Sequence, residues 1–153
     1  MVNLSAYLKY KTKGDVHMDE LRINELNDFQ EKVMRTWNNQ PFEVAIVNAA
    51  LGLTGEAGEV ADNVKKAEFH GHGWSGDLRH NTAMEIGDIM YYAAVAANEL
   101  GYNLQEVCEM VINKLAKRYP EGFSVEASIN RVDVQGETLG LHYKDYSKEI
   151  RKQ

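Results

Sequence analysis

Apolar residues recur at intervals of three and four over most of the chain, which is the period of an amphipathic helix. In the stretch from Asp19 to Trp37, Leu26, Phe29, Val33 and Trp37 fall on one face and predict a first helix packed through them. A second helix is predicted from about Glu43 to Lys66, with Ala49, Leu53, Ala57, Val60 and Val64 as its apolar stripe. Residues 69–76, FHGHGWSG, read as a glycine-rich loop. Asp77 is placed to cap a third helix reaching Leu100, with Gly101 as its stop. This helix is apolar nearly all round after Met84, the pattern of a buried element. Asn103 and Glu106 resemble a capping box opening a fourth helix, whose inward residues are Leu104, Val107, Val111 and Leu115. Pro120 ends it near Tyr119.

Beyond Gly122 the period decays. The run SINRVDVQGETLGLHY alternates weakly, and Gln135-Gly136 suits a hairpin turn. The expected architecture is all-α: a polar N-terminal segment over 1–18, a four-helix domain over 19–123 and a less regular C-terminal tail over 124–153. A chain of 153 residues is long enough for one real core.

Two pairs of acids interrupt these helices. Glu56 and Glu59 lie in LTGEAGEVADNVKK, and Glu85 and Asp88 in MEIGDIMYY. Both pairs have i, i+3 spacing, so each presents two carboxylates on one helix face. Gly52, Gly55 and Gly58 surround the first pair; each interior glycine costs about 1 kcal/mol relative to alanine, which points to close approach of another backbone or a ligand. Like charges gathered on partly apolar surface need a compensating cation or proton. Packing the second helix on the third would converge Glu56, Glu59, Glu85 and Asp88 on one pocket. Four hard oxygen donors suit Mg²⁺ or Mn²⁺ rather than zinc, and Mg²⁺ commonly completes its shell with substrate phosphates.

Composition narrows the classes. A formal charge of −6 argues against binding a nucleic-acid polymer. The single Cys108 forms no intramolecular disulfide and reads as a small core residue. No apolar run spans a bilayer and no signal peptide is evident, so no membrane partner and a cytoplasmic location are expected. There is neither a P-loop nor a dinucleotide fingerprint.

The ordered set GEAGEVADNVKK, glycine loop, EIGDIMYY and then INKLAKRYPEGF resembles the MazG-like all-α NTP pyrophosphohydrolases, from roughly Leu26 to Phe123. One departure is Gly55, where that family often carries a further acid before its first pair. The resemblance implies hydrolysis of a nucleoside triphosphate at the α-phosphorus, giving a monophosphate and pyrophosphate, with a role in the dNTP pool. It implies Glu56, Glu59, Glu85 and Asp88 as metal ligands, with Glu59, or else Glu56, also taking the proton of the attacking water. Lys114 and Arg118 would face the departing phosphates, while Lys117 reads as a cation favoured by the helix C-terminus. Asn113 and Tyr119 would touch the nucleotide. Lys65 and Lys66 read as a solvated helix end.

For the base, Trp37, Trp74, Tyr91 and Tyr92 are the nearby aromatics. Trp37 fits the core stripe, and Trp74, in the loop, is the better stacking candidate; Asn38 and Asn39 suit either a base edge or an ordinary loop. His70, His72 and His80 lack the partners of a zinc site. So much apolar helix surface, together with the resemblance, implies a homodimer or a homotetramer. The alternatives are another metal-dependent nucleotide phosphohydrolase and a non-enzymatic helical assembly protein whose acids form interface salt bridges.

Overall fold

The structure, a computed structural model, describes residues 22–134. Five helices follow one another: α1 (Leu26–Met34), α2 (Phe42–Phe69), α3 (Gly76–Glu99), α4 (Leu104–Arg118) and α5 (Val125–Asn130). No strand occurs among the described residues, which are all-α as the periodicity predicts. Two compact units divide between Gln105 and Glu106.

The first unit is built on the α2–α3 hairpin. Its two helices run antiparallel because the link between Phe69 and Gly76 is short. Positive φ at Gly71 and Gly73 lets the chain turn there, and the amides of His72 and Gly73 close back on the carbonyls of Lys66 and Ala67. Gly52 sets the register: a side chain there would collide with the Tyr92 ring of α3. The close approach predicted for this glycine is therefore made by an aromatic side chain, not by another backbone. Gly55 and Gly58 face open space. The α3 N-cap is Ser75, whose hydroxyl accepts from the Leu78 amide at 3.2 Å; Asp77, expected as the cap, lies in the first turn instead. Serine wins because helical geometry already begins at Gly76. Gly101, at φ 78°, ends α3 as expected.

Helix α1 is shorter than its predicted span; residues before 22 lie outside the described chain. Its Val33 is buried, and so is Gln30, a polar residue the apolar stripe does not announce. Gln30 Nε2 donates to the Ala94 carbonyl at 3.0 Å and to the Tyr102 carbonyl at 3.3 Å, while its Oε1 accepts from the Leu104 amide at 2.9 Å. Asn27 Oδ1 accepts from the Gln105 amide at 3.1 Å. The first turn of α4 thus receives caps from α1 across the fold, beyond the local box predicted at Asn103 and Glu106.

Among the described residues the buried hydrophobic side chains are mostly small: Ala45, Ala49 and Ala67 of α2, Ala94, Val95 and Ala97 of α3, and Val33 and Leu104. The α3 segment expected to be buried all round is buried only in its C-terminal half; Met84 and Ile86 are exposed. Ala57 and Val64 of the predicted α2 stripe are likewise exposed.

In the second unit α4 ends at Arg118, just ahead of Pro120. Its expected inward residues Val111 and Leu115 are exposed. The SIN run, which alternates in sequence, belongs to α5, capped by Ser124 Oγ accepting from the Ala127 amide at 3.0 Å. Local capping outweighs the weak strand pattern. The hairpin predicted at Gln135-Gly136 falls outside the described residues.

Candidate metal centre and its surroundings

The antiparallel register carries Glu56 to the level of Glu85 and Asp88, because Gly52 sits opposite Tyr92 one turn further on. One carboxylate oxygen from each of Glu56, Glu85 and Asp88 lies within 4.8 Å of the others. Glu56 and Glu85 are half-buried and Asp88 is exposed, so the cluster is open to solvent on one side. Burial raises the Glu56 carboxyl above its ordinary 4.5; the charge of Asp88, a hydrogen bond with Glu85 and the charges of Glu85 and Glu59 push it the same way. Every one of these influences opposes ionisation. A divalent cation would reverse most of them, and three hard oxygens at this spacing suit one. The residues present therefore fit a magnesium- or manganese-type ion.

Glu59, predicted as a fourth ligand, lies outside the trio. It is exposed, one turn along α2 from Glu56, close enough for its charge to act on Glu56 and on Lys66. Asp62, not singled out by its sequence context, is the residue that organises the cations of this helix end. It accepts from Lys65 at 2.5 Å and Lys66 at 2.6 Å, and these bonds hold its carboxyl down to about 2. Both lysines are ion-paired rather than simply solvated.

The aromatic residues separate into two groups. Trp37 packs edge-on against Tyr91, with centroids 6.5 Å apart, and Tyr91 packs edge-on against Tyr92 at 5.2 Å. Tyr91 and Tyr92 follow Asp88 by three and four residues, so this group sits one turn along α3 from the acids. The Trp37 indole N–H is buried without a hydrogen-bond partner among the described residues. Trp74 belongs elsewhere. Its Nε1 donates to Glu68 at 2.5 Å, Arg79 lies 5.9 Å over its ring, and with Arg79, Thr82, Ala83 and Ile86 it lines a shallow pocket of about 300 Å³. Ala83 and Ile86 stand on a different face of α3 from Glu85 and Asp88 at about 100° per residue.

The remaining candidates lie in the second unit. Lys114 and Asn113 are exposed on α4. Arg118 donates from Nε and Nη2 to the two oxygens of Asp133, at 2.8 and 2.5 Å. Tyr119 is half-buried, with its hydroxyl bonded by Ser128 and Arg118. Exposed His70 and His72 join no metal-binding group among the described residues. Cys108 is a free, half-buried thiol. No helix among the described residues is long and apolar enough to cross a membrane.

Residues 47–123, which hold all four acids, match the MazG nucleotide pyrophosphohydrolase domain. The chain is 38% identical over 82 residues to the Gene 37 protein of Mycobacterium phage L5; the match covers 53% of this chain and 72% of the phage protein. No solved structure matches significantly. With half its length matched to that domain and its acidic trio gathered between the two helices that carry the motif, the chain belongs to the MazG nucleotide pyrophosphohydrolase family.

Proposed function

We propose that this protein is a divalent-metal-dependent pyrophosphohydrolase that converts a nucleoside triphosphate, ribo or deoxy, to the monophosphate and pyrophosphate, acting on the dNTP pool. The observation that carries the reading is the convergence of Glu56, Glu85 and Asp88 in the family's own domain. Those three carboxylates would hold the ion, which when bound supplies electrophilic polarisation of the phosphate oxygens. Glu59 is solvent-exposed and outside the trio, which leaves it free to orient a water molecule and accept its proton. The resemblance to the family, and no geometry, offers Lys114 and Asn113 for the departing pyrophosphate.

The base is assigned to the Trp37–Tyr91 group rather than to Trp74. That group adjoins the acids, and it offers an indole N–H with no partner among the described residues. A buried donor without a partner loses its water for nothing, unless a ligand acceptor completes it.

The same reading includes self-association. Among the described residues the buried hydrophobic side chains are mostly alanine, with Val95 the largest that is fully covered. Val44, Val47 and Leu51 are exposed along α2, in line with open Gly55 and Gly58. A second copy covering this face would give the dimer, or the tetramer built from dimers.

The test is a product assay. Each common NTP and dNTP is incubated with the chain in Mg²⁺ or Mn²⁺ and in chelator, and monophosphate, pyrophosphate and orthophosphate are separated. Metal-dependent pyrophosphate with matching monophosphate is expected. Orthophosphate as the primary product would reject the reaction in favour of another phosphohydrolase. Calorimetric titration with Mg²⁺ separates the assembly reading: Glu56→Gln with Asp88→Asn should abolish binding, and unaltered binding would sink the site. Sedimentation as a monomer would remove the second copy.

A further inference from the structure

Unit two contains a cluster of polar groups that the proposed reaction does not use. The Asp133 side chain is completely buried, an unusual place for a carboxylate unless it is paired. Its partner is the Arg118 guanidinium, which meets it as a two-pronged fork. Arg131 adds a longer contact at 3.6 Å. The chain reaches this arrangement by a specific path. After α5, Arg131 adopts φ 49° and ψ 47°, the left-handed conformation that side-chain-bearing residues avoid. Its amide still closes on the Ala127 carbonyl at 3.2 Å, and the Val134 amide closes on the Arg131 carbonyl at 3.0 Å. That reversal is what delivers Asp133 to Arg118.

Arg118 also faces Tyr119. Its Cζ lies 5.7 Å over the Tyr119 ring, and the Tyr119 hydroxyl is bonded by both Ser128 and Arg118. The Tyr119 ring in turn contacts Phe123, 5.5 Å between centroids. Three consecutive pieces of the segment, at Phe123, Ser128 and Asp133, thus return to the Arg118-Tyr119 pair. Apolar packing does little of the fastening: Phe123, Val125, Ile129, Val132 and Val134 are all exposed. A segment whose apolar residues face outward is held by its polar contacts.

We propose that Arg118, Tyr119, Ser128 and Asp133 form a polar latch that straps residues 121–134 to the end of α4, and that Arg118 is a positioning residue for Tyr119 rather than a free phosphate ligand. Nε and one Nη2 donor of the guanidinium are engaged by Asp133, a further contact goes to Tyr119, and the side chain is only 16% exposed. A phosphate arriving at Arg118 would have to displace a fully buried carboxylate that is tethered to it by a short stretch of chain. The proposal stands apart from the reaction assigned above and survives or fails without it.

The titration of Tyr119 supplies a readout that loose packing would not imitate. Hydrogen bonds from Ser128 and Arg118 and the positive charge of Arg118 hold the phenol below its ordinary 10.0, against burial and the charge of Asp133. The experiment uses the full chain and the variants D133N, R118K and the pair R118M with D133L. Hydrogen exchange is followed at residues 127–134, and the Tyr119 ring is titrated by ¹³C NMR, assigned by loss of its signal in Y119F. D133N and R118K should each lower amide protection in the strap roughly tenfold or more. R118K should return the Tyr119 pKa toward 10.0. Where a single variant unfolds the strap outright, the apolar pair, which leaves no charge buried, should restore its protection while Tyr119 titrates nearer its ordinary value. Full protection in D133N would overturn the latch, and so would a strap that the apolar pair fails to restore. A Tyr119 pKa indifferent to R118K would overturn the positioning role. Tighter binding of inorganic pyrophosphate by D133N with the strap still protected would show Arg118 to be a phosphate ligand after all.

Discussion

Replacing Gly52 with alanine tests the register that assembles the acidic trio. A Cβ at this position would fall well within 3.0 Å of three atoms of the Tyr92 ring. The ring has little freedom to yield, since it already packs edge-on against Tyr91 at an interplanar angle of 86°. Overpacking of this kind costs about 1–3 kcal/mol. Alanine in a helix interior gains about 1 kcal/mol over glycine. Gly87, where an added Cβ meets nothing within 4 Å, shows that gain alone. The observable is therefore the difference: Gly52→Ala should be about 1–3 kcal/mol less stable than Gly87→Ala. In a chain of this size that is about 2–4 °C in Tm for each kcal/mol. Urea unfolding monitored by circular dichroism gives the same quantity from the midpoint, provided the slope is unchanged. In a Tyr92→Leu background the collision is gone, and Gly52→Ala should become favourable, a coupling of about 1–3 kcal/mol. Magnesium affinity should fall with Gly52→Ala and recover in the double variant, because the same contact sets Glu56 against Glu85 and Asp88. If Gly52→Ala is as stable as Gly87→Ala and shows no coupling to Tyr92, the register argument is wrong.

Three other outcomes follow from the site. The Glu56 carboxyl is raised in the folded protein, so its contribution to stability is full below the ordinary 4.5 and is lost as pH rises through the folded value. Metal-free Glu56→Gln should therefore melt above the parent chain at pH about 7.5 and lose that advantage by pH about 4; with excess Mg²⁺ the order at neutral pH should reverse, and an advantage independent of pH would refute the assignment. Glu59→Gln should lose roughly 10²-fold in kcat while Mg²⁺ binding by the trio persists; near-normal turnover removes Glu59 from the proton transfer. Trp37→Phe deletes a donor that has no partner among the described residues, so KM for the preferred nucleotide should rise about tenfold, with thermal stability lowered only by the lost ring volume. An unchanged KM would remove the indole N–H from base recognition.

Four features were open to sequence reasoning because they are local. Helical period located α1 to α4, the i, i+3 spacing put acids on shared faces, Pro120 ended α4 and Gly101 ended α3. The meeting of Glu56 with Glu85 and Asp88 was also legible, since two helices joined by a short glycine-rich turn can hardly avoid packing antiparallel. What escaped was non-local or depended on competition between neighbours. Nothing around Gln30 announces that its amide will join three chain segments. Asp62 looks like any surface acid until Lys65 and Lys66 fold onto it. Asp133 sits in a weakly alternating run, and only the left-handed turn at Arg131 brings it to Arg118. Glu59 was grouped with the ligands because its spacing to Glu56 is the same as that of Glu85 to Asp88. Spacing sets the helix face, however, and not the distance to the opposite helix.

The turn between Phe69 and Gly76 has a consequence for how relatives are recognised. The alignment of α2 with α3 is fixed at the far end of the hairpin, by Gly52 against Tyr92, and not by the connector. Lengthening a surface connector is cheap, only about 0.6 kcal/mol per doubling. Residues could thus be inserted between Gly71 and Gly73, a reporter peptide included, without moving the carboxylates. A pattern search that prescribes the number of residues between the two acidic motifs constrains the one part of this hairpin that the chemistry leaves at liberty.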